Sequence, residues 1–154
     1  MVQVKIKYMS QEAAQEFVFS EPYILVSIRD PGSPEPVFRK DPNRIGVHFA
    51  LFNDVADPKR RYNPKYPLQM PITEISAREI VDFVMAYLDK VSLIAVHCKH
   101  GTSRSVGVAA ALTSCLLGKE SVQPYFKLPL NEMVMKEVIL AYRDWLEDSR
   151  ASKK

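Results

Sequence analysis

Ser92-Leu93-Ile94-Ala95-Val96-His97-Cys98-Lys99-His100-Gly101-Thr102-Ser103-Arg104-Ser105 is the stretch whose reading decides the fold. Residues 92–96 form a short, nearly continuous apolar run, the pattern of a strand covered on both faces, and it leads directly into His97-Cys98. Five residues then separate Cys98 from Arg104. From Ser105 onward small and apolar residues continue to Leu117 and stop at Gly118, a residue suited to the position just past a helix. The local order is buried strand, tight loop, helix.

The same grammar extends on both sides. Val2, Val4, Ile6 and Tyr8 alternate with Gln3, Lys5 and Lys7, which predicts a half-buried strand at a sheet edge, followed by a short helix capped by Ser10 and reaching Glu16. Residues 23–28 read as a buried strand and residues 45–52 as another. Between them, Pro31, Gly32, Pro34, Pro36 and Pro42 mark a loop. A second proline-rich loop spans 53–71 and carries Asp54, Asp57 and the basic residues Lys59, Arg60, Arg61 and Lys65; long loops in compact domains are often functional. Ser76 and Glu79 have capping-box spacing, with Ile80, Val84, Tyr87 and Leu88 forming a helical stripe to about Lys90. A last helix over 131–147 places Val134, Val138, Tyr142 and Trp145 on one side, and the tail 149–154 is expected to fray. Strands separated by helices imply an α/β fold in three layers: a mainly parallel sheet of about four to five strands with helices on both faces.

At 154 residues, 47% hydrophobic and 25% charged, the chain suits a single domain over 1–148 with one real core. Its longest apolar stretch is too short and too interrupted to cross a bilayer, so no membrane insertion is expected. The N-terminal alternation lacks the layout of a secretory signal. The two cysteines, Cys98 and Cys115, should lie on the order of 15 Å apart at helical rise, too far to bridge. Free thiols and a cytoplasmic location follow as expectations. A formal charge of +3 argues only mildly for an acidic or phosphorylated substrate.

The loop itself meets three needs of anion chemistry. Successive backbone N–H groups, with the positive end of the following helix, make a cradle for a dianion. Gly101 permits a backbone conformation closed to other residues. Arg104 offers a planar fork to two phosphate oxygens. The same field favours the thiolate of Cys98, since a free cysteine pKa of about 8.5 falls to roughly 3.5–7.5 at helix N-termini. The plain alternative, a core cysteine followed by a surface arginine, leaves the spacing, the glycine and the flanking elements unexplained.

His97-Cys98-x-x-Gly101-x-x-Arg104-Ser105 resembles the signature of the cysteine-dependent protein tyrosine and dual-specificity phosphatases, in a chain as short as their compact members. The resemblance extends over about 45–117. It implies a tyrosine phosphatase-like fold, no metal and no cofactor. It also implies a phosphocysteine at Cys98, phosphate held by Arg104 and the backbone of Lys99, His100, Gly101, Thr102 and Ser103, and a hydrogen bond from Ser105 to the sulfur. For Ser105 a helix cap is the plain alternative. His97 would orient the loop. An aspartic acid on an upstream loop would protonate the leaving oxygen. Asp54 is favoured and Asp57 is the alternative; no Trp-Pro-Asp sequence is present, and the stretch between acid and cysteine is longer than is usual in those enzymes.

The expected substrate is a phosphorylated protein or peptide, phosphotyrosine first and then phosphoserine or phosphothreonine. Cys98-x-His100-Gly101 is also similar to the loop of RNA 5′-triphosphatases, and Cys98-Lys99-x-Gly101 to that of phosphoinositide phosphatases. Lys59, Arg60, Arg61 and Lys65, interleaved with Tyr62 and Tyr66, could follow an RNA backbone, although such runs are more often solvated surface. A module that binds phosphate without turnover is the alternative from another class. Oligomeric state is not legible in the sequence.

Overall fold

The computed structural model describes residues 3–56 and 69–152. Four strands, β1 (Lys5–Ser10), β2 (Tyr23–Arg29), β3 (Arg44–Leu51) and β4 (Leu93–Cys98), form one all-parallel sheet in the order β1-β4-β2-β3. The two central strands are the two with continuous apolar sequence. Every residue of β4 is buried, as are the first six of β2, because helices or loops cover both faces there. β1 occupies an edge, as its alternation predicts.

On one face, α2 (Glu74–Tyr87), α3 (Arg104–Leu117) and α5 (Glu132–Ala151) enclose the larger core around Ile24, Val26, Ile94 and Val96. On the other, α1 (Gln11–Glu16) and the loops before and after β2, through Phe17, Phe19 and Phe38, cover a smaller cluster of Tyr23, Leu25, Leu93 and Ala95. These are the expected three layers, with one outer layer thin. A short α4 (Lys119–Val122) and a 3₁₀ turn (Gln123–Lys127) lead from α3 to α5.

Two helix boundaries differ from expectation. Helix α2 starts at Glu74, with Thr73 as its cap: the Thr73 hydroxyl accepts from the Ser76 amide at 3.0 Å, and the Ser76 hydroxyl accepts from the Thr73 amide at 2.9 Å. Ser76 is therefore the third residue of a reciprocal box, not its first. Helix α5 runs to Ala151, about one turn beyond Glu147, so residues 149–151 are helical.

A parallel sheet ends all its strands on one side, and ligands bind at that carboxyl edge. Ser10, Arg29, Leu51 and Cys98 end there, so the loops that follow them meet. Helix α3 departs from the same edge and is buried from Arg104 through Thr113. It can lie this close to α5 because of Gly107, where a Cβ would stand 2.7 Å from the Asn131 carbonyl oxygen and 3.1 Å from the Val134 Cβ. Gly107→Ala is expected to cost about 1–3 kcal/mol in urea denaturation, since a backbone oxygen has little room to yield. An unchanged midpoint would contradict this packing.

Candidate active site

Cys98 ends β4 and is 3% exposed. Its Sγ lies 3.1 Å from the Ser105 Oγ, one residue into α3. Burial of the sulfur is the largest single influence on its acidity and opposes ionisation. The Ser105 hydroxyl and the amides of Ser105, Gly101 and Ser103 act the other way, and together they hold the Cys98 thiol below its ordinary range. Ser105 is thus committed to the sulfur. The helix cap position falls to Ser103, whose side chain makes no capping bond.

The loop closes because Gly101 adopts φ +71°, and because a Cβ there would approach the Ser10 nitrogen to 2.5 Å and the Met9 carbonyl carbon to 2.6 Å. β1 supports the turn from beneath: Ser10 registers with Cys98, and the Gln11 amide donates to the Lys99 carbonyl at 3.2 Å. Lys99, His100 and Thr102 form an exposed rim.

His97 is fully buried beside Ser27 on the neighbouring strand, with its Nε2 2.6 Å from the Ser27 Oγ and its Nδ1 3.3 Å from the Cys98 carbonyl oxygen. A carbonyl can only accept, so we assign the proton to Nδ1, and the Ser27 hydroxyl then donates to Nε2. Burial holds the His97 pKa below its usual value, and the nearby Arg104 charge adds to this. The ring thus bridges β2 and the end of β4.

Arg104 is 5% exposed and anchored from two other strand ends. Its Nη1 donates to Asp30 Oδ1 and to the Phe52 carbonyl, each at 2.8 Å. Among the described residues Nε and Nη2 have no partner, which leaves a two-pronged donor for an oxyanion.

Asp54 stands at the rim of the same loop. Ser103 Oγ donates to its Oδ1 at 2.8 Å and Asn131 Nδ2 donates to the same oxygen at 2.7 Å, leaving Oδ2 without a partner among the described residues. The flanking Phe52 and Val55 are buried and fix its position. Asn53 closes the base of the long excursion: its amide donates to the Met70 carbonyl at 2.6 Å, and its Oδ1 accepts from the Met70 amide at 2.7 Å. The placement of Asp54 is thereby insulated from the length of chain that follows. Asp57 and the basic stretch with Lys59, Arg60, Arg61 and Lys65 lie outside the described residues.

Four contributors to this geometry carry no signal in the motif: Ser27, Asp30, Asn53 and Asn131. Asn131 is the most connected. Its Oδ1 caps α5 through the Val134 amide at 3.1 Å, its Nδ2 holds Asp54 and the Val55 carbonyl, and its amide donates to the Ser103 carbonyl at 3.1 Å. The last helix is predicted to begin at about Asn131, but nothing in the sequence marks that residue's contact with Asp54. Among the described residues no group of three or more His, Cys, Asp or Glu side chains could hold a metal ion. Cys115 is half-buried, its thiol pushed up to about 11 by burial.

No protein-family model matches the chain, and no curated protein sequence matches it. Solved structures do. The structure of PTPMT1 aligns with TM-score 0.52 and 13% identity over 97% of this chain and 96% of that one. PTPMT1 in complex with PI(5)P aligns with TM-score 0.51 and 13% identity over 83% and 81%. The fold is accordingly the phosphatase-like α/β fold of these neighbours, and the likeness reaches well beyond the 45–117 stretch.

Two measurements check the site. Alkylation of Cys98 by iodoacetamide, followed by peptide mass spectrometry, is expected to titrate at lower pH than a free cysteine, and Ser105→Ala should move the midpoint upward because a donor to the thiolate is lost. An unshifted midpoint in the variant would remove Ser105 from the sulfur.

Proposed function

We propose that this protein is a cysteine-dependent phosphatase that hydrolyses phosphotyrosine monoesters, and phosphoserine or phosphothreonine more slowly, through a phosphocysteine intermediate. The observation that carries the reading is the placement of Cys98 Sγ 3.1 Å from the Ser105 hydroxyl, at the foot of a tight loop closed by Gly101 that also starts the helix bearing Arg104.

In this reading the phosphate sits above the sulfur, with loop amides and the free fork of Arg104 on its non-bridging oxygens. The thiolate attacks phosphorus in line, forming the S–P bond as the P–O bond to the leaving group breaks. Asp54 gives the proton on Oδ2 to the departing oxygen. Water then attacks the phosphocysteine, Asp54 takes its proton, and the sulfur leaves as a thiolate that accepts the Ser105 hydroxyl hydrogen bond. Asn131 and Ser103, both on Oδ1, keep Oδ2 as the oxygen available for proton transfer. Both cysteines are unbridged, which suits a reducing, cytoplasmic setting.

A phosphorylated inositol headgroup is the second reading. A cleft of about 350 Å³ opens beside the loop, with Arg29 and Lys99 in its wall alongside Gln11, Ser33 and the carboxylates Glu12 and Asp30, and PTPMT1 has been solved with PI(5)P. The RNA reading draws on Cys98-x-His100-Gly101 and on residues 59–66, and the latter lie outside the described part.

Cys98→Ser and Arg104→Lys are each expected to lose nearly all turnover of an aryl phosphate, with inorganic phosphate binding retained in the serine variant. Turnover surviving in Cys98→Ser would overturn the covalent route. Asp54→Asn is expected to lower kcat on an alkyl phosphate by roughly 10²–10⁴-fold and to matter far less for an aryl ester, whose oxygen leaves without a proton. Equal losses on both esters would remove Asp54 as the acid. Comparing kcat/KM for a phosphotyrosine peptide and soluble PI(5)P decides between the two substrate readings.

A further inference from the structure

Away from the catalytic edge, α2 and α5 leave between them a groove of about 440 Å³. Two aliphatic side chains stand open along it: Ile75 is 73% exposed and Leu140 is 40% exposed, above a floor at Ala141. Large exposed apolar side chains that face one another across a groove mark interaction surfaces more often than isolated ones do.

The charge on the walls selects the occupant. Glu74, Glu79, Glu137 and Asp144 line the groove against a single cation, Arg78. Arg78 is already neutralised, donating to Asp82 at 2.9 Å and to Asp148 at 2.7 Å. Among the described residues none of the four carboxylates has an ion-pair partner. A chain with net charge +3 thus carries an acidic, partly aliphatic trough. The sign reverses across Leu140, where Lys136 and Arg143 line the neighbouring depression, so the acidic character is confined to the α2 side. Anionic lipid and nucleic acid are repelled from such a surface.

We propose that this groove docks a basic segment of a partner protein, whose aliphatic side chains cover Ile75 and Leu140 while flanking lysines or arginines face Glu79, Glu137 and Asp144. Apolar cover supplies the affinity, and charge supplies orientation, encounter rate and rejection of acidic segments. Both walls begin at the catalytic edge: α2 starts shortly after the Met70 clamp, and α5 starts at the Asn131 cap that holds Asp54. A docked segment therefore lies on the two helices that anchor the acid loop. The binding claim stands apart from turnover, so its failure and that of the phosphatase reading are separable.

The test is fluorescence anisotropy with a labelled short peptide bearing two leucines four residues apart flanked by arginines and lysines, beside a control peptide with glutamates in place of the basic residues. Wild-type protein is expected to bind the basic peptide at least about tenfold more tightly than the control, with the preference shrinking at high salt. The double variant Glu137→Lys/Asp144→Lys should lose about tenfold or more, and Leu140→Ser, which leaves the charges in place, should weaken binding to both peptides. Aryl phosphate turnover and thermal unfolding of these variants should match wild type, which separates lost docking from lost folding. Equal binding of the two peptides, or unchanged binding by the double variant, overturns the proposal. So does a concentration-dependent dimer in sedimentation that the double variant abolishes, since the groove would then belong to a second copy.

Discussion

A sulfur atom at the end of a buried strand, 3.1 Å from the Ser105 hydroxyl and at the foot of a tight loop, is the constraint on which the rest of the structure depends. Burying a thiolate in an apolar core is unfavourable, and here burial does oppose ionisation. The Ser105 hydroxyl and the backbone of the tight turn between Cys98 and Ser105 act against that opposition. That turn needs a glycine at φ +71°, pressed against the end of β1, and a helix whose first turn is itself buried. The parallel sheet serves this geometry, since β1, β4 and β2 all deliver their ends to one place.

Around the loop, fixed positions come from pairs of residues remote in sequence. Arg104 is held by the loops after β2 and β3, and His97 is braced by Ser27. Asp54 is held by Ser103 and Asn131. Each bond ties a different strand end or helix start to the loop, so the site is the meeting point of the layers. Asn131 joins three of them, because capping α5, holding Asp54 and meeting the Ser103 carbonyl are done by one side chain and its own amide. A loss there would loosen the helix start and Asp54 together.

How much of this could be read from the sequence follows from distance along the chain. Cys98, Gly101, Arg104 and Ser105 lie within eight consecutive residues between a strand pattern and a helix pattern, so local rules recover both the fold class and the centre of the site. The partners Ser27, Asp30 and Asn131 sit 70, 74 and 77 residues from His97, Arg104 and Asp54, and no periodicity marks them. At the start of α2, the spacing of Ser76 and Glu79 predicts a box one turn too late, because Ser76 instead pairs with Thr73. The apolar stripe predicts an end for α5 at Glu147, but neither glycine nor proline stops the helix there and it runs on to Ala151.

The central claim is that Cys98 forms a bond to phosphorus during turnover. Acid quenching of the wild-type protein within one turnover of a ³²P-labelled phosphopeptide, followed by peptide mapping, tests it most directly. Label on the peptide containing Cys98, accumulating before inorganic phosphate is released, is the expected result. Steady phosphate release with no label on that peptide, or label on another side chain, would contradict it.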